Sequence, residues 1–214
     1  MSGIIEKIAR LGVLPVISVS QPEWALPLAD ALLAGGLSAL EVTLRSDAAL
    51  TALSRIHAER PQMTLCAGTV RTPAQARAAV AAGAACIVAP GFREDVAQAC
   101  REMGVMYLPA CVTGTELETA LDAGLEAVKF FPAGPLGGPA ALRLLSGPYS
   151  GLRFIPTGGI TMDNLAQYLA LPAVAACGGS FMAPAELLRG GEWAEITARC
   201  RRCVEIARAC GRGE

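Results

Sequence analysis

The sequence predicts an α/β protein, a (β/α)8 (TIM) barrel with a short N-terminal helix, forming one domain over residues 1–214. Three observations carry this prediction. Short β-like runs alternate with Ala- and Leu-rich helical stretches along the whole chain. Helix-start residues and glycine stops punctuate the alternation. Eight such units fit into about 200 residues, the compact end of the barrel range. The runner-up, an open doubly wound sheet, usually carries a glycine-rich dinucleotide fingerprint after its first strand, and VISVSQPEW is not one.

The elements follow in order. A helix over 2–11 leads into a strand at 13–19 (VLPVISV), and a helix over 22–34 stops at Gly35-Gly36. The strand at 39–44 (ALEVTL) is followed by a helix over 47–59, with Asp47 as its start signal. The strand at 64–69 (TLCAGT) precedes a helix over 73–82, opened by Thr72-Pro73 and stopped by Gly83. Strand 85–90 (ACIVAP) and helix 93–103 end at Gly104, and strand 105–110 (VMYLPA) leads to helix 114–123 between Thr113 and Gly124. Strands at 127–132 (AVKFFP), 153–157 (RFIPT) and 174–178 (VAACG) complete the set, and a long helix over about 192–210 closes the chain.

Composition excludes several function classes. Hydrophobic residues make up 53% and charged residues 17%, which supplies a large core and argues against disorder. Eighteen Lys and Arg against nineteen Asp and Glu leave no electrostatic footprint for nucleic acid or an acidic membrane. The mean hydropathy of +0.44 raises the question of a membrane span. The longest uncharged stretch, Asn164 to Ala185, is interrupted by Gln167, Pro172, Gly178-Gly179 and Pro184, so it is not one apolar helix. Glu6, Lys7 and Arg10 break any secretory apolar run, and the expectation is a soluble cytoplasmic protein.

In that compartment the eight cysteines at 66, 86, 100, 111, 177, 200, 203 and 210 are expected as free, mostly buried thiols. Cys200 and Cys203 form a C-x-x-C, but no second pair or nearby histidine completes a zinc site. His57 is the only histidine and sits on a polar helical segment, as a surface residue, which argues against His-rich metal sites and a Ser-His-Asp triad. No metal and no cofactor are expected.

Lysine usage carries the chemistry. Arginine outnumbers lysine sixteen to two. Lys7 lies beside Glu6 and Arg10 as an ordinary exposed charge, whereas Lys129 interrupts the apolar strand AVKFFP. An arginine there carries charge but never becomes a neutral amine, while a lysine in apolar surroundings is able to act as a carbonyl-directed nucleophile. The plain alternative is a lysine held structurally by a buried carboxylate. In LEVTLR at 40–45, period-two alternation sends Glu41, Thr43 and Arg45 to one face and Leu40, Val42 and Leu44 to the other. Three polar side chains in line need interior partners, because strands of a parallel barrel are buried on both faces. A carboxylate near Lys129 moves protons, and an arginine at the strand end holds an anion; a simple Glu–Arg salt bridge accounts for two of these residues and leaves Lys129 without a role.

The remaining strand ends are rich in small and polar residues. Ala67-Gly68-Thr69, Thr157-Gly158-Gly159 and Gly178-Gly179-Ser180 all fall on the C-terminal face, where such barrels keep their active sites. Gly-Gly turns after the seventh and eighth strands point to a phosphorylated ligand held by backbone N–H groups. Pro90-Gly91 after the fourth strand shapes the rim, or is a plain turn.

LEVTLR at 40–45, AGTV at 67–70, APG at 89–91, VKFFPA at 128–133, PTGGI at 156–160 and CGGS at 177–180 together closely resemble the bacterial 2-keto-3-deoxy-6-phosphogluconate (KDPG) and 4-hydroxy-2-oxoglutarate (KHG) aldolases, over about residues 4–208. The resemblance implies a metal-free class I aldolase on a (β/α)8 fold, usually a homotrimer. It implies that Lys129 forms the Schiff base and that Glu41 transfers protons. It assigns the pyruvyl carboxylate to Arg45 and Thr69, substrate contact to Pro90 and Phe131, and the phosphate to Thr157, Gly158, Gly159, Gly179 and Ser180. Many members continue the lysine motif as F-F-P-A-E where this chain has Gly134, a difference that bears on the aldehyde partner. The expected reaction is cleavage of KDPG to pyruvate and glyceraldehyde 3-phosphate, with KHG cleavage to pyruvate and glyoxylate beside it. The alternatives are an aldolase for the 6-phosphogalactonate epimer and a non-catalytic sugar-phosphate-binding barrel.

Overall fold

The computed structural model describes residues 2–213, along which eight strands and ten α-helices follow one another. Strands β1 (Val13–Ile17), β2 (Ala39–Thr43), β3 (Thr64–Gly68), β4 (Cys86–Ala89), β5 (Met106–Pro109) and β8 (Cys177–Gly179) form one parallel sheet in the order β5-β4-β3-β2-β1-β8. Strands β6 (Ala127–Phe130) and β7 (Arg153–Pro156) form a second parallel pair.

Of the predicted (β/α)8 architecture the structure shows an α/β fold whose eight parallel strands lie in a six-stranded and a two-stranded sheet. Only isolated bridges join them, Ala110 to Lys129 and, on the other side, Phe154 to Val174 and Thr157 to Gly178. Two prolines account for the interruptions. Cys111 N–H donates to Lys129 O at 2.9 Å, and the next donor back along β5 is residue 109, a proline with no N–H. Phe154 N–H donates to Ala173 O at 2.8 Å, and the next donor along β7 is Pro156. Each seam is left with isolated bridges in place of a ladder. The eighth strand also lies later than the predicted 174–178, because Val174 meets Phe154 only through such a bridge.

Strand alternation sorts the core into two layers. Leu14, Ala39, Cys66, Cys86, Val88, Met106, Leu108, Ala127 and Ile155 pack together between the strands, and Ile5 and Ile8 of helix α1 (Ser2–Leu11) join them. Residues of opposite parity, among them Val13, Ile17, Leu40, Val42, Ile87 and Phe154, pack against the surrounding helices.

The helices follow their sequence signals with two exceptions. Thr72 caps α4 (Pro73–Ala81) by accepting from Gln75 N–H at 3.2 Å, and Thr113 with Glu116 forms a capping box on α6 (Gly114–Asp122). Helix α5 (Glu94–Met103) stops at Gly104, whose φ of 67° suits a residue without a side chain. Asp47 does not start its helix: α3 runs Ala49–Glu59, because a turn with Ala49 N–H on Ser46 O passes through Asp47 first. The stretch 22–34 divides into a 3-10 turn at Pro22–Trp24 and helix α2 (Ala25–Ala34). Helices α7 (Gly138–Ser146), α8 (Leu165–Leu169) and α9 (Ala185–Gly190) are not among the segments named from the sequence, whereas α10 (Trp193–Ala209) matches its prediction. No helix among the described residues is long and apolar enough to cross a membrane.

Candidate active site

The inward parity of β2 and β6 brings together two residues far apart in sequence. Glu41 is 1% exposed and Lys129 is 7% exposed. Lys129 Nζ donates to Glu41 Oε1 at 3.1 Å and to Oε2 at 3.4 Å. Burial of both charges is tolerated because each supplies the other's counter-charge. Glu41 fits because β3 gives way beside it: Thr43 pairs with Gly68 in register, and a Cβ at Gly68 would collide with the Glu41 carboxylate. The amine also lies over the Phe131 ring, its centroid 5.6 Å from Nζ.

Arg45 follows β2 as predicted and reaches the mouth of the same space, where its Nε donates to Thr69 Oγ1 at 3.3 Å. The alternative of a Glu41–Arg45 salt bridge is thereby replaced by two separate contacts, Glu41 with Lys129 and Arg45 with Thr69. Thr69 adopts φ 63°, a left-handed conformation unfavourable for a β-branched residue and the only non-glycine φ of this kind among the described residues. Thr157 is buried at the end of β7, and the absence of a side chain at Gly178 makes room for its hydroxyl.

These side chains line a cavity of about 50 Å³. Glu41, Lys129, Arg45, Thr69, Pro90, Phe131 and Thr157 all line it, with Val16, Thr43 and Ala89 completing the wall. Of the predicted site residues, Gly158, Gly159, Gly179 and Ser180 lie outside that wall. Gly158 backs the Phe131 ring, however: a Cβ there would stand 3.2 Å from Phe131 Cε2, so the turn after β7 adjoins the cavity through that ring. Thr43 was predicted to face inward without a role; it is 4% exposed and its hydroxyl donates to Ile17 O at 3.4 Å. The spacer role of Gly68 had one sequence signal, a glycine at a strand end beside polar neighbours, but nothing in sequence shows which side chain needs the room.

The other reactive groups are packing residues. All eight cysteines are free, and only Cys210 is not fully buried. The Cys66 hydrogen bond, with burial, pushes the Cys86 thiol well up, and burial alone raises Cys100 to about 11. Cys200 and Cys203 are buried in α10, as expected of packing positions, and their thiols are pushed up by burial to about 12. His57 is exposed on α3, as predicted. Lys7, read as an ordinary surface charge, is half-buried and donates to Gln62 O at 3.0 Å. Among the described residues no three or more His, Cys, Asp or Glu side chains gather where they could hold a metal ion. An amine, a carboxylate and an arginine converging on one enclosed space form an arrangement able to add to the carbonyl of an anionic oxo acid and move its protons.

Known proteins are similar to this chain in sequence and in fold. The family model for KDPG and KHG aldolase matches residues 4–199. A 2-dehydro-3-deoxy-phosphogluconate aldolase of Treponema pallidum (strain Nichols) is 44% identical over 206 residues, 96% of this chain and 98% of its own. The crystal structure of the KDPG aldolase of Legionella pneumophila, with pyruvate captured at low pH as a covalent carbinolamine intermediate, is similar at a TM-score of 0.90 and 39% identity, covering 94% of this chain and 97% of its own. That of the 2-keto-3-deoxy-6-phosphogluconate aldolase of Zymomonas mobilis ZM4 with 3-phosphoglycerate reaches 0.89 at 36% identity, covering 96% and 97%. Identity at this level across nearly the whole chain, with Glu41, Arg45, Thr69 and Lys129 of the motifs around one cavity, leads to one assignment. The chain belongs to the KDPG and KHG aldolase family.

Proposed function

We propose that this aldolase is a class I, metal-independent enzyme that reversibly cleaves 2-dehydro-3-deoxy-6-phosphogluconate to pyruvate and glyceraldehyde 3-phosphate, and that it also splits 4-hydroxy-2-oxoglutarate to pyruvate and glyoxylate. The observation that carries the reading is the buried contact of 3.1 Å between Lys129 Nζ and Glu41 Oε1. A nitrogen able to add to a carbonyl and a proton acceptor this close together are suited to act on the same atoms of a substrate. The carbinolamine of the Legionella enzyme and the phosphorylated ligand of the Zymomonas enzyme support the two halves of the substrate.

In this mechanism Arg45 and Thr69 hold the C1 carboxylate, and Pro90 and Phe131 bound the pyruvyl end. Lys129 Nζ attacks C2, and the carbonyl oxygen takes a proton relayed by Glu41 to give the carbinolamine. Nζ gives up a second proton, which Glu41 passes to that oxygen so that it leaves as water, forming the protonated imine. Glu41 then removes the C4 hydroxyl proton. The C3–C4 bond breaks, its electron pair passes into the imine to form an enamine, and the aldehyde departs. Glu41 returns the proton to C3, and water hydrolyses the new imine to release pyruvate and free Lys129. The imine provides the electron sink throughout, so the chemistry needs no metal or cofactor. Thr157, Gly158, Gly159, Gly179 and Ser180, at the ends of β7 and β8, receive the phosphate through N–H and hydroxyl donors.

The same reading extends to the whole chain. The isolated bridges at both seams support closure of the strands into one (β/α)8 barrel, a single domain over 1–214. Eight free cysteines accord with a reducing cytoplasm. Leu144, 80% exposed, and the nearby Leu136, 40% exposed, offer apolar surface for assembly as a homotrimer. The phosphorylated keto acid is the sole partner besides other copies of the chain; nucleic acid and membrane have no part in the activity.

Borohydride trapping with pyruvate, followed by intact mass and peptide mapping, tests the mechanism. A reduced pyruvyl adduct on Lys129 is the expected result. A folded protein that forms none at saturating pyruvate would overturn it and leave Lys129 a structural partner of Glu41.

A further inference from the structure

Six polar side chains line the cavity around the lysine: Glu41, Thr43, Arg45, Thr69, Lys129 and Thr157. In the proposed reaction Lys129 and Glu41 make the imine, Arg45 and Thr69 hold the C1 carboxylate, and Thr157 meets the phosphate. Thr43 is left without a part. It is the last residue of β2 and shares the inward face with Glu41. The chain bends just beyond it, where Arg45 N–H donates to Thr43 O at 2.8 Å. Thr43 therefore stands between the residue that moves protons and the residue that holds the carboxylate.

Its hydroxyl is not needed to tie the strands together. β1 and β2 are already laddered in register, Val16 with Glu41 and Ile17 with Val42. The one hydrogen bond the hydroxyl makes among the described residues runs to Ile17 O at 3.4 Å, long for an O–H donor. Turning that proton toward a better acceptor in the cavity costs little. A 2-oxo acid with C1 at Arg45 and C2 at Lys129 offers such an acceptor, the C2 oxygen, which gathers negative charge as Nζ adds to the carbonyl.

From this placement, and resting on the proposed reaction, we infer that Thr43 is a further catalytic residue, whose hydroxyl donates a hydrogen bond to the C2 oxygen of the 2-oxo acid during carbinolamine formation and loss of water. The Thr43 proton stays on Thr43; both protons that turn the C2 oxygen into water arrive through Glu41. The hydroxyl acts on the carbonyl end alone, so pyruvate itself engages it without an aldehyde partner or a phosphate.

Three variants separate the hydroxyl from the rest of the side chain. Thr43→Val keeps the shape without the hydroxyl, Thr43→Ala removes it without crowding, and Thr43→Ser retains it. The assay is exchange of the C2 oxygen of pyruvate with labelled water, followed by mass spectrometry to give kcat and KM, with circular dichroism as the check on folding. In Thr43→Val and Thr43→Ala the exchange kcat is expected to fall about 10²-fold, the effect of losing one donor to a developing oxyanion, while KM changes by less than about threefold. Thr43→Ser should stay within about threefold of wild type, because the donor is kept. Wild-type exchange in both variants lacking the hydroxyl, a loss confined to KM, or a serine variant as slow as the valine one would each overturn the inference. Borohydride trapping of the wild type with pyruvate keeps the underlying reading separate: a wild type that forms no adduct and exchanges no oxygen would overturn the aldolase mechanism itself.

Discussion

Lys129 Nζ and Glu41 Oε1 lie 3.1 Å apart although 88 positions separate them in sequence. The contact is buried, and each group is the other's only charged partner within salt-bridge distance among the described residues. Lys129→Met should abolish aldol cleavage and, by stranding a buried carboxylate, cost about 3–5 kcal/mol of stability. The double variant Lys129→Met/Glu41→Gln should regain most of that stability without regaining activity. Urea titration of the three proteins measures the difference, and equal stabilities would show that the pair carries no such coupling.

Glu41→Gln keeps the shape of the side chain and removes the proton acceptor. The expected loss in kcat is about 10²–10⁴-fold, with the pyruvate-binding contacts intact. Steady-state assays beside pyruvate binding check this, and a loss confined to KM would argue against proton transfer.

Gly68→Ala places a methyl group where the Glu41 carboxylate now sits. Displacing that carboxylate by about 1 Å should lower kcat on the order of 10²-fold while the far-UV circular dichroism stays unchanged. Near-wild-type turnover would mean that Glu41 works from another position.

Thr69→Gly relieves the left-handed strain of its φ of 63° but removes the hydroxyl that meets Arg45. Stability should rise by about 1 kcal/mol while the KM for the 2-oxo acid increases. Thermal melts and initial rates report the two effects independently; a fall in both stability and affinity would deny the strain.

Burial raises the thiols of Cys111, Cys200 and Cys203 to about 12 and of Cys100 to about 11. In the unfolded chain these groups lose their protons near pH 8.5. The unfolded state therefore binds fewer protons above that pH, and stability declines as pH rises through about 9 toward the folded values. The upper limit is about 1.4 kcal/mol per thiol per pH unit. Urea midpoints between pH 8 and 11 should fall steadily, and a disulfide reagent at pH 8 should modify at most Cys210 before unfolding. Rapid modification of several native thiols would contradict the packing.

The parts that sequence alone determined are local. Period-two alternation in LEVTLR put Glu41, Thr43 and Arg45 on one face, and the single lysine in an apolar strand stood out against sixteen arginines. Thr72 and Thr113 capped their helices because cap chemistry involves only the next three residues. Asp47 failed as a start signal because a turn from Ser46 competed for the same backbone. Motif resemblance reached further, but only as far as naming the residues.

Tertiary structure decided how those residues meet. Strand pairing and the curvature of the sheets carry Lys129 to Glu41, and no local rule reports a distance across the interior of a sheet. The two seams arise because Pro109 and Pro156 fall at the donor positions of their ladders, a matter of register that each strand's own sequence does not contain. The glycines divide in the same way. Gly104 was legible as a helix stop because its φ follows from its own neighbours, whereas at Gly68 and Gly178 a side chain on another strand fills the space that a Cβ would take. A residue's periodicity and capping depend on neighbours a few positions away, but its steric surroundings depend on groups that only the completed fold brings into contact.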